Sequence, residues 1–163
     1  MQLAGAATAN EIGAAFKFGA LEGVITAVFA RTDEIHHDPH SGFDLAFPEG
    51  TAFPCLAAGT VVLVGVDGQD NWGNIFGNSC IIDHGDGTRA NYGHFRDPLA
   101  VKVGDAVAVG QILGIQGSTG FSTGDHVHIS LAKDDNPWFN KDADGGVSRL
   151  LDPVEFLGGD ARQ

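Results

Sequence analysis

The chain has 163 residues, enough for one compact domain that buries roughly two-thirds of the surface it exposes when unfolded, so no disulfide or metal is needed merely to keep it folded. Hydrophobic residues make up 43% and charged residues 18%, and no apolar run is long enough for a membrane span, which excludes the disordered and helical-membrane classes. The formal charge of -12 repels phosphate backbones and anionic lipid surfaces, so nucleic acid is excluded as the expected partner. By the same reasoning, anchoring to a phosphate-rich cell wall is expected to need other domains or proteins.

Residues 1–22 form a lead-in. They lack a basic n-region, and Asn10 and Glu11 interrupt their apolar character, so they are not read as a secretory signal. Residues 3–18 are Ala-rich and proline-free and are expected to form a short helix, weakened by Gly5, Gly13 and Gly19. From Gly23 the pattern changes to short β-type runs: VITAVF, GFDLAF, TVVLVGV, SCIID, RANYGHF, AVAVGQILGI and HVHISLA, separated by Gly, Asp, Asn and Pro. The 24 glycines sit between these runs as turn punctuation. The fold class expected is an all-β antiparallel core, spanning residues 23–158, with a frayed tail at 159–163.

The runs also carry the chemistry. In HSGFDLAF, His40, Gly42 and Asp44 share one parity of an extended strand while Phe43, Leu45 and Phe47 share the other, so imidazole and carboxylate face one cleft and the second set fills the core. Nitrogen with a hard oxygen is a donor set that zinc accepts. His36 and His37, just upstream, are expected in a solvated loop, with a latent-state ligand or a substrate contact as the alternative. Cys55 and Cys80 lie in apolar surroundings and are read as buried free thiols in preference to a disulfide.

Further along, His84 in IIDHGDG sits at a hairpin turn and is assigned no chemistry. In NYGHF, Tyr92 and His94 share parity, with Tyr92 either a secondary donor or a packing residue. The Gly-rich loop GSTGFSTGD leads into HVHIS, where His126 and His128 share one face and Val127 and Ile129 the other. Two histidines at this spacing can reach one site, though only one need be a ligand. The stretch DDNPWFNKDADGGVSR is expected as an exposed loop, and LLDPVEFL as a closing turn packed by Leu150, Leu151, Val154, Phe156 and Leu157.

The order of these segments, from GVITAVF through HSGFDLAFPEGT, AAGTVV, IIDHGDGT, NYGHF and VKVGDAVAVGQILGIQGSTGFSTGDHVHIS to LLDPVEFL, resembles the lysostaphin-type, or LytM-domain, zinc endopeptidases of peptidoglycan. The resemblance implies a barrel-sandwich-like β core and one zinc ion held by His40, Asp44 and His128. It implies that His94 and His126 assist catalysis beside the metal, and that the partner is a peptidoglycan peptide in an extracellular, periplasmic or virion-associated setting; the unrecognised signal, acidic balance and Ala-rich lead-in fit a phage tail-associated or lytic enzyme, toward which the reading leans, as well as a domain of a secreted bacterial enzyme. The stretch ARTDEIHHDP departs from the arginine-and-glycine pattern that many members show there.

Two rivals remain open at this stage. One is a non-catalytic LytM-type module that binds wall or activates an amidase. The other is a phosphocarrier, because VKVGDAVAVGQILG resembles biotinyl-lipoyl and phosphotransferase IIA domains of related fold.

Overall fold

Alternation of apolar and polar residues with a period of two governs the chain almost from its first residue. The computed structural model describes residues 1–29, 40–67, 74–133 and 150–159. The strands in chain order are β1 (Ala6–Ala7), β2 (Ala15–Phe18), β3 (Leu21–Ala27), β4 (Gly42–Ala46), β5 (Ala52–Pro54), β6 (Gly59–Gly65), β7 (Asn78–Asp83), β8 (Thr88–Phe95), β9 (Ala106–Val107), β10 (Ile112–Ile115), β11 (Val127–Lys133) and β12 (Leu150–Leu151). A 3-10 turn, Pro153–Phe156, follows, with the Asp152 carboxylate accepting from the Val154 amide at its start.

One antiparallel sheet runs in the order β1-β2-β3-β4-β11-β8-β7-β6-β9, with β12 added beside β11, and β5 pairs separately with β10. The all-β class read from the sequence is what the chain adopts. The expected N-terminal helix is absent: residues 6–7 and 15–18 are strands. The reason lies in Phe16 and Phe18, which alternate with Lys17 and bury the two rings while the lysine stays exposed, a pattern that suits a strand better than the helical propensity of the alanines suits a helix. Gly5 and Gly13 add backbone at φ +114° and +92° that a helix cannot contain. Leu3, Phe16 and Phe18 join the main core, so the lead-in is packed into the same sheet.

The run AVAVGQILGI, read as one strand, divides at Gly110 (φ +90°) into β9, on the edge of the large sheet, and β10, which pairs with β5. The core lies between the large sheet and this two-stranded ribbon. Phe43 and Leu45 of β4, Tyr92 of β8 and Val127, Ile129 and Leu131 of β11 meet Phe53 of β5 and Leu113 of β10 there. Both cysteines are buried free thiols, and burial pushes each above the ordinary thiol range. The closing segment packs its Leu151, Val154, Phe156 and Leu157 on the core as expected. His36 and His37, residues 68–73, the polar stretch 134–149 and residues 160–163 lie outside the described residues.

Candidate metal centre

Strands β4, β11 and β8 are neighbours, and the face they turn away from the core carries the candidate residues. Register aligns Asp44 with His128 and Gly42 with Ser130 across β4 and β11, while β8 aligns Gly93 with His128. Side chains directly opposite in an antiparallel pair share a face, so Asp44 and His128 stand side by side while Phe43 and Ile129 pair on the core face. Gly42 makes this closeness possible. A β-carbon there would lie 1.8 Å from the Ile129 carbonyl oxygen, so any other residue would force β4 and β11 apart.

His40, Asp44 and His128 converge, offering one donor atom each within 4.8 Å of one another, and all three are buried. His128 Nδ1 donates to Asp44 Oδ1 at 2.8 Å, and His40 Nε2 lies 3.4 Å from the same oxygen. On its outer side His40 Nδ1 donates to the Val28 carbonyl at 3.2 Å, which leaves the Nε2 lone pair facing inward. His128 Nε2 contacts the hydroxyls of Ser130 at 2.5 Å and Ser41 at 3.2 Å.

Electrostatics keep Asp44 and His128 in ligand form. Burial pushes the Asp44 carboxyl up, but the imidazoles of His128 and His40 against its oxygens outweigh this and hold it well below the usual carboxylate range. Burial, with the imidazoles of His40 and His126 adding to it, pulls His128 down to about 4 against the pull of Asp44. At neutral pH the cluster is therefore a carboxylate with a neutral His128, the ionisation states that a divalent metal requires of these groups. Two imidazole nitrogens and one carboxylate oxygen match the donor set of a catalytic zinc, which keeps a fourth position open. A buried acidic group with two nitrogens gathered around it, their far sides tied down, fits such an ion well.

Histidines 94 and 126 stand beside this cluster. His126 Nε2 is 3.4 Å from Asp44 Oδ2, and the rings of His94 and His126 lie 4.7 Å apart, centre to centre. One loop fixes both: His94 Nδ1 donates to the Thr119 carbonyl at 2.7 Å and His126 Nδ1 to the Gly124 carbonyl at 2.8 Å. Burial, with the nearby imidazoles of His128 and His126, pulls His94 down to about 4.

Tyr92 and His94 do not share a face, contrary to the parity expectation. His94 sits at φ +70° and its amide bonds to the Phe76 carbonyl at 2.7 Å. This left-handed residue turns its ring into the cleft, whereas Tyr92 is fully buried in the core with its hydroxyl accepting from the Leu56 amide. Tyr92 is a packing residue. His84 is a turn residue, its Nδ1 donating to the Ala58 carbonyl.

Sequence reasoning missed three neighbours of the cluster. Ser130 and Ser41 back His128, and Phe76 stacks on the His128 ring with centroids 5.3 Å apart. Ser130 was within reach of the same parity rule that paired His126 with His128, since it is two residues on; Phe76 comes from a loop that no periodicity addresses.

Comparison with known proteins decides the family. The model of peptidase family M23 matches residues 38–139. The chain belongs to peptidase family M23. This M23 domain is 30% identical over 128 residues to lysostaphin of Staphylococcus simulans, covering 73% of the chain and 25% of that protein. It is 37% identical over 93 residues to the peptidoglycan DD-endopeptidase ShyA of Vibrio cholerae, covering 57% of the chain and 20% of the relative. The domain thus spans about a quarter of the length of these curated relatives.

Among solved structures, the catalytic domain of Staphylococcus simulans lysostaphin superimposes with a TM-score of 0.63 at 31% identity, over 80% of the chain and 87% of that structure. A mutant catalytic domain of the prophage-encoded M23 protein EnpA from Enterococcus faecalis gives a TM-score of 0.64 at 32% identity, over 88% of the chain and 96% of that structure.

Proposed function

We propose that this M23 domain is a zinc-dependent endopeptidase that hydrolyses cross-link or stem peptides of bacterial peptidoglycan, with one zinc ion held by His40, Asp44 and His128. The observation that carries the reading is the convergence of those three donor atoms within 4.8 Å beside a second pair of histidines. Relatives named as a peptidoglycan DD-endopeptidase and a glycyl-glycine endopeptidase support the substrate class. Similarity to a prophage-encoded enzyme supports a phage tail-associated or lytic setting.

A zinc ion in such a site supplies Lewis-acid polarisation of a carbonyl and makes hydroxide available from water near neutral pH. The chain supplies the proton handling. His94 and His126 each give their Nδ1 proton to a loop carbonyl, so in the neutral ring Nε2 is the free base. With its protonation held down by burial to about 4, His94 is neutral at physiological pH and able to accept a proton from the attacking water. The resulting imidazolium donates to the developing oxyanion and then returns the proton to the leaving amine. Such general acid–base help contributes typically 10²–10⁴-fold. His126, whose Nε2 lies 3.4 Å from Asp44 Oδ2, takes the same kind of role from the other side.

The test is hydrolysis of purified peptidoglycan from several wall types by the isolated domain. Release of muropeptides, followed by mass spectrometry, should stop on chelation and return with zinc. A zinc-loaded domain that releases nothing from any wall would remove the proposal, and the masses released identify the bond cut.

A further inference from the structure

Among the described residues four histidines surround the site, and the way each is tied at its far nitrogen separates one from the others. His40, His94 and His126 all present Nε2 inward, and each gives its Nδ1 proton to a main-chain carbonyl: Val28, Thr119 and Gly124. A carbonyl only accepts, so these rings are held in one tautomer whatever lies in front of them; the Ser122 hydroxyl, 3.3 Å from His126 Nδ1, gives its own hydrogen to the Gly124 carbonyl. His128 is mounted the other way round. It presents Nδ1 to Asp44, and its far nitrogen, Nε2, meets the hydroxyls of Ser130 and Ser41, which lie 3.3 Å from each other.

A hydroxyl can donate or accept. In the arrangement seen here the Asp44 carboxylate accepts from His128 Nδ1–H, so Nε2 holds a lone pair and the Ser130 hydroxyl donates to it. A metal on Nδ1 needs the lone pair on that side. The ring must then carry its proton on Nε2, where a serine oxygen accepts it, and the Ser130 hydroxyl hydrogen turns to Ser41. One proton leaves Nδ1 and one arrives at Nε2 through solvent exchange, so the ring stays neutral in both states.

We propose that Ser130, assisted by Ser41, is a positioning residue that lets His128 exchange tautomers as the metal enters, and so sets metal affinity. The surroundings agree with a polar backing: Asn91 of β8, directly opposite Ser130, is fully buried, and neither atom of its amide has a hydrogen-bond partner among the described residues. The inference rests on the reading of His40, Asp44 and His128 as metal ligands.

The experiment has two readouts besides activity. The first is zinc affinity of the whole chain by competition with a chromophoric chelator. Ser130→Ala should bind about 10–100-fold more weakly than the unmodified protein, as is typical for loss of a partner behind a metal-bound histidine, and Ser130→Thr, which keeps the hydroxyl, should recover most of the loss.

The second readout is the nitrogen-15 signature of the His128 ring in the unmodified protein, so it stands even where Ser130→Ala folds poorly. The proton should sit on Nδ1 after chelation and on Nε2 with zinc. An unchanged affinity in Ser130→Ala, or one tautomer throughout, overturns the positioning role and leaves the metal site intact. Failure of the unmodified chain to bind zinc at all overturns both.

Discussion

At the scale of single residues, the proposed roles separate groups that hold an ion from groups that move protons, and substitution should expose the division. Asp44→Ala removes the oxygen around which two imidazoles gather and is expected to abolish zinc retention in a metal-stoichiometry measurement. His126→Ala, whose ring lies beside Asp44 without belonging to the three converging donors, is expected to keep zinc while turnover falls by about 10² or more. A metal-replete, fully active Asp44→Ala protein would contradict the ligand assignment. His94 adds a backbone test. Its φ of +70° costs a non-glycine residue roughly 1–2 kcal/mol, so His94→Gly should unfold at higher denaturant than His94→Ala although both lose activity.

At the scale of strands, the decisive contact is between β4 and β11. Replacing Gly42 by Ala drives a methyl group into the Ile129 carbonyl, backbone against backbone, with no flexible side chain to yield. The expected cost is about 3 kcal/mol or more by chemical denaturation, with zinc affinity lost at the same time. Much of this was legible beforehand. Gly42, Asp44 and His128 sit in regular strands, where a period of two fixes which side chains share a face, and His40 and His126 stand just ahead of those strands.

The rule failed where the backbone leaves the regular pattern. His94 was sorted with Tyr92, and a single left-handed residue placed the two on opposite faces. The N-terminal segment was assigned by alanine propensity, a weak preference that two buried phenylalanines override. Loop carbonyls that orient the histidines leave no trace in residue type, because every residue supplies one.

At the scale of the whole molecule, two expectations follow from burial. The first concerns acid. His94 and His128 are held down to about 4, whereas in the unfolded chain each titrates near 6.5. Between these values the unfolded chain binds more protons, so the stability of the chelated protein should fall as pH drops from about 6.5 to about 4, by at most roughly 3 kcal/mol per histidine. Asp44, held below the usual carboxylate range, contributes stability present above about pH 4 and lost below it. Urea unfolding of chelated protein across this window checks the sign; a flat profile would mean that the rings are not kept neutral by the fold. The second expectation concerns the lead-in. Phe16→Ala should cost about 3–5 kcal/mol, because that ring is fully buried against Phe43 and Phe47, and a merely appended segment would show almost no effect.

The loop entering β11 tethers His94 through Thr119 and His126 through Gly124, and between these anchor points it carries Phe121, 69% exposed. Redesigning that stretch to favour another cleavage sequence would therefore disturb both proposed proton carriers in one stroke. Selectivity and speed would drift together in variants altered there, and a change confined to one of them has to be sought on a different wall of the groove.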